Sequence, residues 1–162
     1  MRKTKLELTW IGKDKRPKLE PRILLENPEL SYHASHKVSE NDIFDNKLIF
    51  GDNLLALKAL EQEYTGKVKC VFIDPPYNTG ARDWKYNNSY VDSEDPYRHS
   101  KWISFIHSRL ILAKSLLSNE GVICVTIDDY ELPRLLIIME DFNYRQEYDS
   151  DNDTEVAAGY IS

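Results

Sequence analysis

The apolar residues of this chain change rhythm at Lys47. Before it they are scattered, and Pro17, Pro21 and Pro28 interrupt any repeat, so residues 1–46 read as an extended arm with short structured pieces. Trp10, Ile11, Ile23, Leu24 and Leu25 are its candidates for docking on a core. After it, short apolar runs alternate with helical repeats. Leu48, Ile49 and Phe50 predict a short strand ended by Gly51. Leu54, Leu57, Leu60 and Tyr64 recur near helical spacing, with Gly66 as the stop and Asp52 or Asn53 as the cap. Val68 and Cys70 to Ile73 predict a second strand, apolar enough to be buried on both faces. Residues 74–99 are polar and aromatic and read as a long loop. Ile103, Ile106, Leu110, Ala113 and Leu117 then mark one helix face, with Gly121 as its stop. Val122 to Ile127 predicts a third strand, and Leu132, Leu135, Met139 and Phe142 a third helix, with Pro133 tolerated in its first turn.

Strand, helix, strand, helix, strand, helix is the order of an α/β domain: a parallel sheet with right-handed crossovers, flanked by helices. Three strands are fewer than an open sheet of this kind ordinarily has. The expected organisation is an arm at 1–46, a partial α/β domain at 47–144 and an acidic tail at 145–162. Asp149, Asp151, Asp153 and Glu155 give that tail no burial pattern, so disorder is expected there.

Charge and composition narrow the function classes. The 162 residues suit one domain, and the net charge of −6 argues against strong DNA binding by an open basic face. Lys13, Lys15, Arg16, Lys18 and Arg22 cluster early and read as a solvated loop, with a local basic groove as the alternative. No apolar run approaches the roughly 20 residues of a membrane span, and the basic start is not followed by a signal-peptide core. Cys70 and Cys124, each in an apolar run, read as reduced, buried thiols of a cytoplasmic protein. The four histidines form no ligand pattern, so no metal is expected.

The candidate chemistry lies in Cys70 to Gly80, CVFIDPPYNTG. Ligands of open parallel sheets bind beyond the carboxyl ends of the strands, which is where this stretch puts Asp74. Pro75 and Pro76 fix φ and remove two N–H donors, leaving a rigid corner rich in acceptors. Tyr77 adds a flat ring. A planar ligand with an amino group suits this corner: a carboxylate and a carbonyl accept from the NH₂ while the ring stacks. Two acceptors on an aromatic amine also stabilise the positive charge that grows when its nitrogen attacks an electrophile.

DPPYNTG at 74–80, after LIFGDNLLALKALEQEYTGKVKCVFI at 48–73, resembles the amino-methylating DNA methyltransferases, in particular the modification subunits of type III restriction–modification systems. The opening LTWIGKDKRPKLEPRILLENPELSYHA at 8–34 resembles the same group, and the likeness runs from residue 6 to about residue 142. The resemblance implies a partial Rossmann-like fold dependent on S-adenosyl-methionine and methyl transfer to the exocyclic nitrogen of adenine, less readily cytosine. It implies that Asp74, Pro75, Pro76 and Tyr77 are the catalytic tetrapeptide and that Asp52 and Asp74 lie at the cofactor. Asp52 reads equally well as a helix cap, and Asp128 as a structural or capping residue.

The family's second motif, a Phe-x-Gly-x-Gly-like turn for the cofactor, has no counterpart among the six glycines here, and the segment that reads target DNA is not found. The chain therefore reads as an N-terminal methyltransferase segment, weak or inactive alone. Its implied partners are DNA and a missing C-terminal half, a second methyltransferase subunit or a restriction subunit. The alternative is a non-enzymatic remnant or a DNA- or partner-binding module. Uncovered sheet edges are expected to favour self-association.

Overall fold

A computed structural model describes residues 8–161 except 33, 80–94, 143 and 150–154, with backbone only for 144–149 and 155–161. The calls on Gly80 and on most of the 74–99 loop lie outside the described residues. The element order is α1 (Asn53–Tyr64), β1 (Val68–Ile73), α2 (Arg98–Leu116), β2 (Leu117–Ile127), α3 (Leu132–Asp141), β3 (Tyr144–Asp149) and β4 (Glu155–Ile161). The sheet runs β1-β2-β4-β3. β1 and β2 are parallel, as the α/β reading requires, and β4 is antiparallel to both β2 and β3.

The helices form where their spacing predicts. Asp52 caps α1, its Oδ1 accepting from the Leu54 and Leu55 amides at 2.9 and 3.2 Å. Gly66, at φ +69°, turns the chain from α1 into β1, and its amide donates to the Ser115 carbonyl at 3.0 Å. α2 and α3 press Ile103, Ile106, Leu110, Leu135 and Met139 onto Ile123, Val125 and Ile127 of β2. Deeply buried side chains of this size each contribute about 1.5–3 kcal/mol, so the α2–β2–α3 sandwich dominates the stability.

Several expectations are corrected. Leu48 to Phe50 is not a strand: Leu48 and Phe50 are 102% and 104% exposed, because no described strand lies alongside to take their backbone groups. β1 is buried on one face only. Val68, Val71 and Ile73 pack toward the core, whereas Cys70 and Phe72 face outward and Phe72 is 68% exposed. Cys70 and Cys124 are free thiols, but Cys70 is exposed and Cys124 half-buried, on the side of the sheet away from the core. Of the arm's apolar residues Trp10 docks, its Nε1 donating to Ser104 Oγ at 2.8 Å, while Ile11, Ile23, Leu24 and Leu25 stay exposed.

Gly121 does not stop a helix. α2 ends at Leu116, and Gly121 lies inside β2 beside a register shift between Val68 and Cys70. A Cβ there would stand 2.9 Å from the Val68 carbonyl oxygen, so only glycine permits the approach. The tail also differs from the expected disorder: β3 and β4 pair antiparallel, and β4 lies along β2 from Val122 to Ile127. The free backbone groups of β2's outer edge supply partners that composition does not reveal.

Candidate active site

β1 ends at Ile73, opposite Val125, and this register brings Asp74 alongside Thr126. The exposed Asp74 carboxylate has one oxygen engaged twice: Oδ1 accepts from Thr126 Oγ1 at 2.6 Å and from Tyr77 OH at 3.1 Å. Oδ2 is left to accept from further donors. Tyr77 is half-buried against the core. The hydroxyl of Thr126 exerts the largest single influence on its phenol and lowers the pKa, but burial, the bond to Asp74 and the negative charges of Asp74 and Asp128 together raise it. Tyr77 is thus a neutral donor at physiological pH.

The two prolines are seated differently. Pro75 is buried, and the Pro76 carbonyl accepts from Trp102 Nε1 of α2 at 2.6 Å. The expected display of outward carbonyls is therefore corrected: that of Pro76 is committed to the core tryptophan. Asn78 follows in the left-handed region at φ 62° and is buried. Its Nδ2 donates to Glu131 Oε1, which also meets His99 Nδ1 at 2.6 Å, and Arg134 Nη1 lies 3.3 Å from Glu131 Oε2. The corner is thus held by β2, α2 and the start of α3 together.

Asp52 does not join the corner directly. Its Oδ1 is spent on the α1 cap, and its Oδ2 lies 3.9 Å from Arg109 Nη2 on α2. Arg109 Nε donates to Asn53 Oδ1 at 2.7 Å and its guanidinium stacks 3.5 Å from the Phe105 ring, so α2 fixes the turn at 51–53. Arg109 is seven residues beyond Trp102, about 10 Å along the helix axis, so α2 holds the two segments from different turns. Asp128 is structural: its Oδ1 accepts from the Tyr130 amide at 3.0 Å and its carbonyl from the Leu132 amide at 3.2 Å, closing the turn from β2 into α3. Burial, and then Asp129, raise its pKa.

The sequence reading placed Asp74 to Tyr77 on one rigid turn and missed Thr126, Trp102, Asn78, His99 and Glu131. Two of these carried a signal. Thr126 is a hydroxyl inside an apolar strand, and Glu131 is an acid just before an apolar helix. Among the described residues no group of three His, Cys, Asp or Glu side chains is placed to hold a metal, and no helix is long and apolar enough to cross a membrane.

A parallel strand–helix–strand unit with an exposed carboxylate and a proline-stiffened aromatic turn at its carboxyl end defines a class: α/β proteins of the kind whose ligands bind beyond the carboxyl ends of the strands. The chain belongs to the DNA methylase family, whose model matches residues 68–151. The probable type III restriction-modification enzyme HindVI Mod subunit of Haemophilus influenzae is 44% identical over 108 residues, covering 67% of this chain and 13% of its own length. The type III restriction-modification enzyme EcoPI Mod subunit of Escherichia phage P1 is 32% identical over 166 residues, 86% of this chain and 25% of its own. The type II methyltransferase M.KpnI of Klebsiella pneumoniae is 35% identical over 118 residues, 72% of this chain and 28% of its own. The chain thus spans between about an eighth and under a third of the length of these relatives.

Proposed function

We propose that residues 47–144 carry the catalytic corner of a cytoplasmic DNA methyltransferase that acts on the N6 amine of adenine with S-adenosyl-methionine as methyl donor, and that residues 1–46 are an arm laid against it. The observation that carries this reading is the state of Asp74: exposed, with Oδ1 saturated by Thr126 and Tyr77 and with Oδ2 free of hydrogen bonds among the described residues.

In this reading the adenine ring lies against Tyr77 and its amine donates to Asp74 Oδ2. With the Pro76 carbonyl taken by Trp102, the Pro75 carbonyl is the second acceptor. Two acceptors draw the amine out of conjugation and aim its lone pair outward. Asp74 stabilises the charge that grows on nitrogen as the N–C bond forms and the C–S bond of the donor breaks, and it takes up the proton that the nitrogen then loses. A base within a duplex must first be turned out of the stack.

The donor set suits a cationic, hydroxyl-bearing cofactor in part. The Asp74 carboxylate and Asp52 Oδ2 are acceptors open to solvent, and these two residues would hold it. When bound, S-adenosyl-methionine supplies an electrophilic methyl group. The Gly-x-Gly turn is not among these 162 residues, so the chain alone is expected to bind the cofactor poorly. DNA is the proposed substrate. A C-terminal half, a second methyltransferase subunit or a restriction subunit is the proposed partner.

Calorimetry with S-adenosyl-methionine should show little binding by the chain alone. Methyl transfer to DNA should appear when the C-terminal portion of a type III Mod subunit is supplied, and disappear in Asp74→Ala. Micromolar cofactor binding by the chain alone would refute the need for a second portion. Unchanged turnover in Asp74→Ala would remove the catalytic assignment and leave a binding module.

A further inference from the structure

Two polar side chains are buried among the described residues, Glu131 at 0% and Asn78 at 3% exposed, and they are bonded to each other. Asn78 is the residue directly after the catalytic tetrapeptide. It holds φ at 62°, a conformation that side-chain-bearing residues avoid and asparagine tolerates best. Glu131 stands at the N-cap of α3, but its side chain makes no capping bond to the helix amides. The same carboxylate meets His99 from the start of α2 and Arg134 from the first turn of α3. Three segments that are far apart in sequence therefore converge on one side chain.

Stability alone is a poor account of this arrangement. A carboxylate loses much hydration on burial, and apolar residues of equal volume often hold a fold as well or better. The network is also incompletely satisfied: among the described residues neither Asn78 Oδ1 nor Glu131 Oε2 has a hydrogen-bond partner. Its distinctive product is geometry. Asn78 is anchored at its side chain while Pro76 is anchored at its carbonyl by Trp102, so Tyr77 is held between two fixed points.

We propose that Glu131 is a positioning residue for the base-holding corner. By clamping Asn78 in the left-handed turn, it sets the spacing between the Tyr77 ring and the Asp74 and Pro75 acceptors. The proposal rests on the reading of residues 74–77 given above, and it concerns how that corner is kept in register.

The pair permits an exchange test. Asn78→Asp keeps size and tolerance of positive φ but sets a carboxylate against Glu131. Glu131→Gln on that background restores one donor between the two positions. The probe is a single-stranded DNA oligonucleotide with one 8-vinyladenine, a fluorescent base that keeps the 6-amine of adenine and whose emission is quenched by stacking on Tyr77, titrated with the chain. Asn78→Asp should weaken binding about tenfold, the scale of one lost buried hydrogen bond. The double variant Asn78→Asp/Glu131→Gln should return to within about threefold of the parent, because the two changes are coupled. Tyr77→Ala should lose the quench. Far-UV circular dichroism of each variant, matching the parent at the titration temperature, separates positioning from misfolding, since each change disturbs the same buried site.

A double variant as weak as Asn78→Asp would overturn the clamp. So would parent-like binding by Asn78→Asp while Tyr77→Ala loses the quench; both results leave the corner assignment standing. An undiminished quench in Tyr77→Ala would overturn the corner assignment, and the clamp with it.

Discussion

Thr126 and Asp74 lie 52 positions apart in the chain, and the hydroxyl of one donates to the carboxylate of the other at 2.6 Å. The bond exists because parallel pairing of β1 and β2 sets their carboxyl ends side by side. It occupies Oδ1 and turns Oδ2 outward. Thr126→Val keeps the volume and the β-branch and removes the donor. A hydrogen bond to a charged group is worth about 1.5–3 kcal/mol. Methyl transfer by the complemented chain should therefore fall by roughly tenfold or more, and the melting temperature should drop by several degrees with the same lost bond, turnover being read well below the melt. Unaltered turnover would show that Tyr77 alone orients the carboxylate.

Asp52 offers a way to separate a cap from a ligand. Asp52→Ala removes the acceptor for two α1 amides and should cost about 1 kcal/mol of stability, read by thermal melting. Asp52→Ser should restore the melt, because serine caps nearly as well. Cofactor affinity in the complemented chain should stay low in both variants. If serine restores affinity as well, Asp52 acts only as a cap.

His107 links the arm to pH. Its ring stands between Trp10 and Phe142, with centroids 5.1 and 5.3 Å away. Burial lowers its pKa below the model-peptide 6.5, Arg16 and Lys13 lower it further, and Asp141 opposes them. The folded state thus favours the neutral ring. Its stabilisation is fully present above the unfolded value and is lost as pH falls through the depressed folded value. The melt should weaken between pH 7 and pH 5, and His107→Phe should flatten that acid limb; an identical pH profile would refute the linkage.

Asp128 has the opposite sign. A carboxyl whose folded pKa is raised destabilises the fold once pH rises through it, so its charge is a cost at neutral pH. Asp128→Asn keeps the Oδ1 acceptor for the Tyr130 amide and removes the charge. It should raise the melting temperature slightly at pH 7 and have no such effect near pH 3. A fall at pH 7 would mean that the ionised turn is favourable.

The side of the sheet that carries exposed Phe72 predicts association. Phe72, Cys70 and the half-buried Cys124 share that side, and Leu48 and Phe50 are exposed as well. Sedimentation across a concentration series should show self-association that Phe72→Lys reduces. A monomer at every concentration, with a sharp melt, would contradict this.

What was legible in the sequence was local. Three helices followed from 3.6-residue spacing, and the candidate turn from four consecutive residues. Leu48 to Phe50 misled because an apolar run specifies a strand only when another strand meets it. The start of β2 was hidden because polar Ser118 to Glu120 lie at a register irregularity that only pairing with β1 creates. β4 was hidden because an open sheet edge recruits backbone with little regard to side chains. The site divided in the same way: Asp74 to Tyr77 were readable together, whereas Thr126, Trp102 and Glu131 reach them through strand register and helix packing.

The indole of Trp102, tethered to the Pro76 carbonyl, has an optical consequence. Its emission responds to the polarity and hydrogen bonding at that one nitrogen, so a ligand that tugs the proline turn should shift the spectrum without any added label. With Trp10 and Trp84 replaced by phenylalanine, the protein would carry a built-in gauge of strain at its own proline turn.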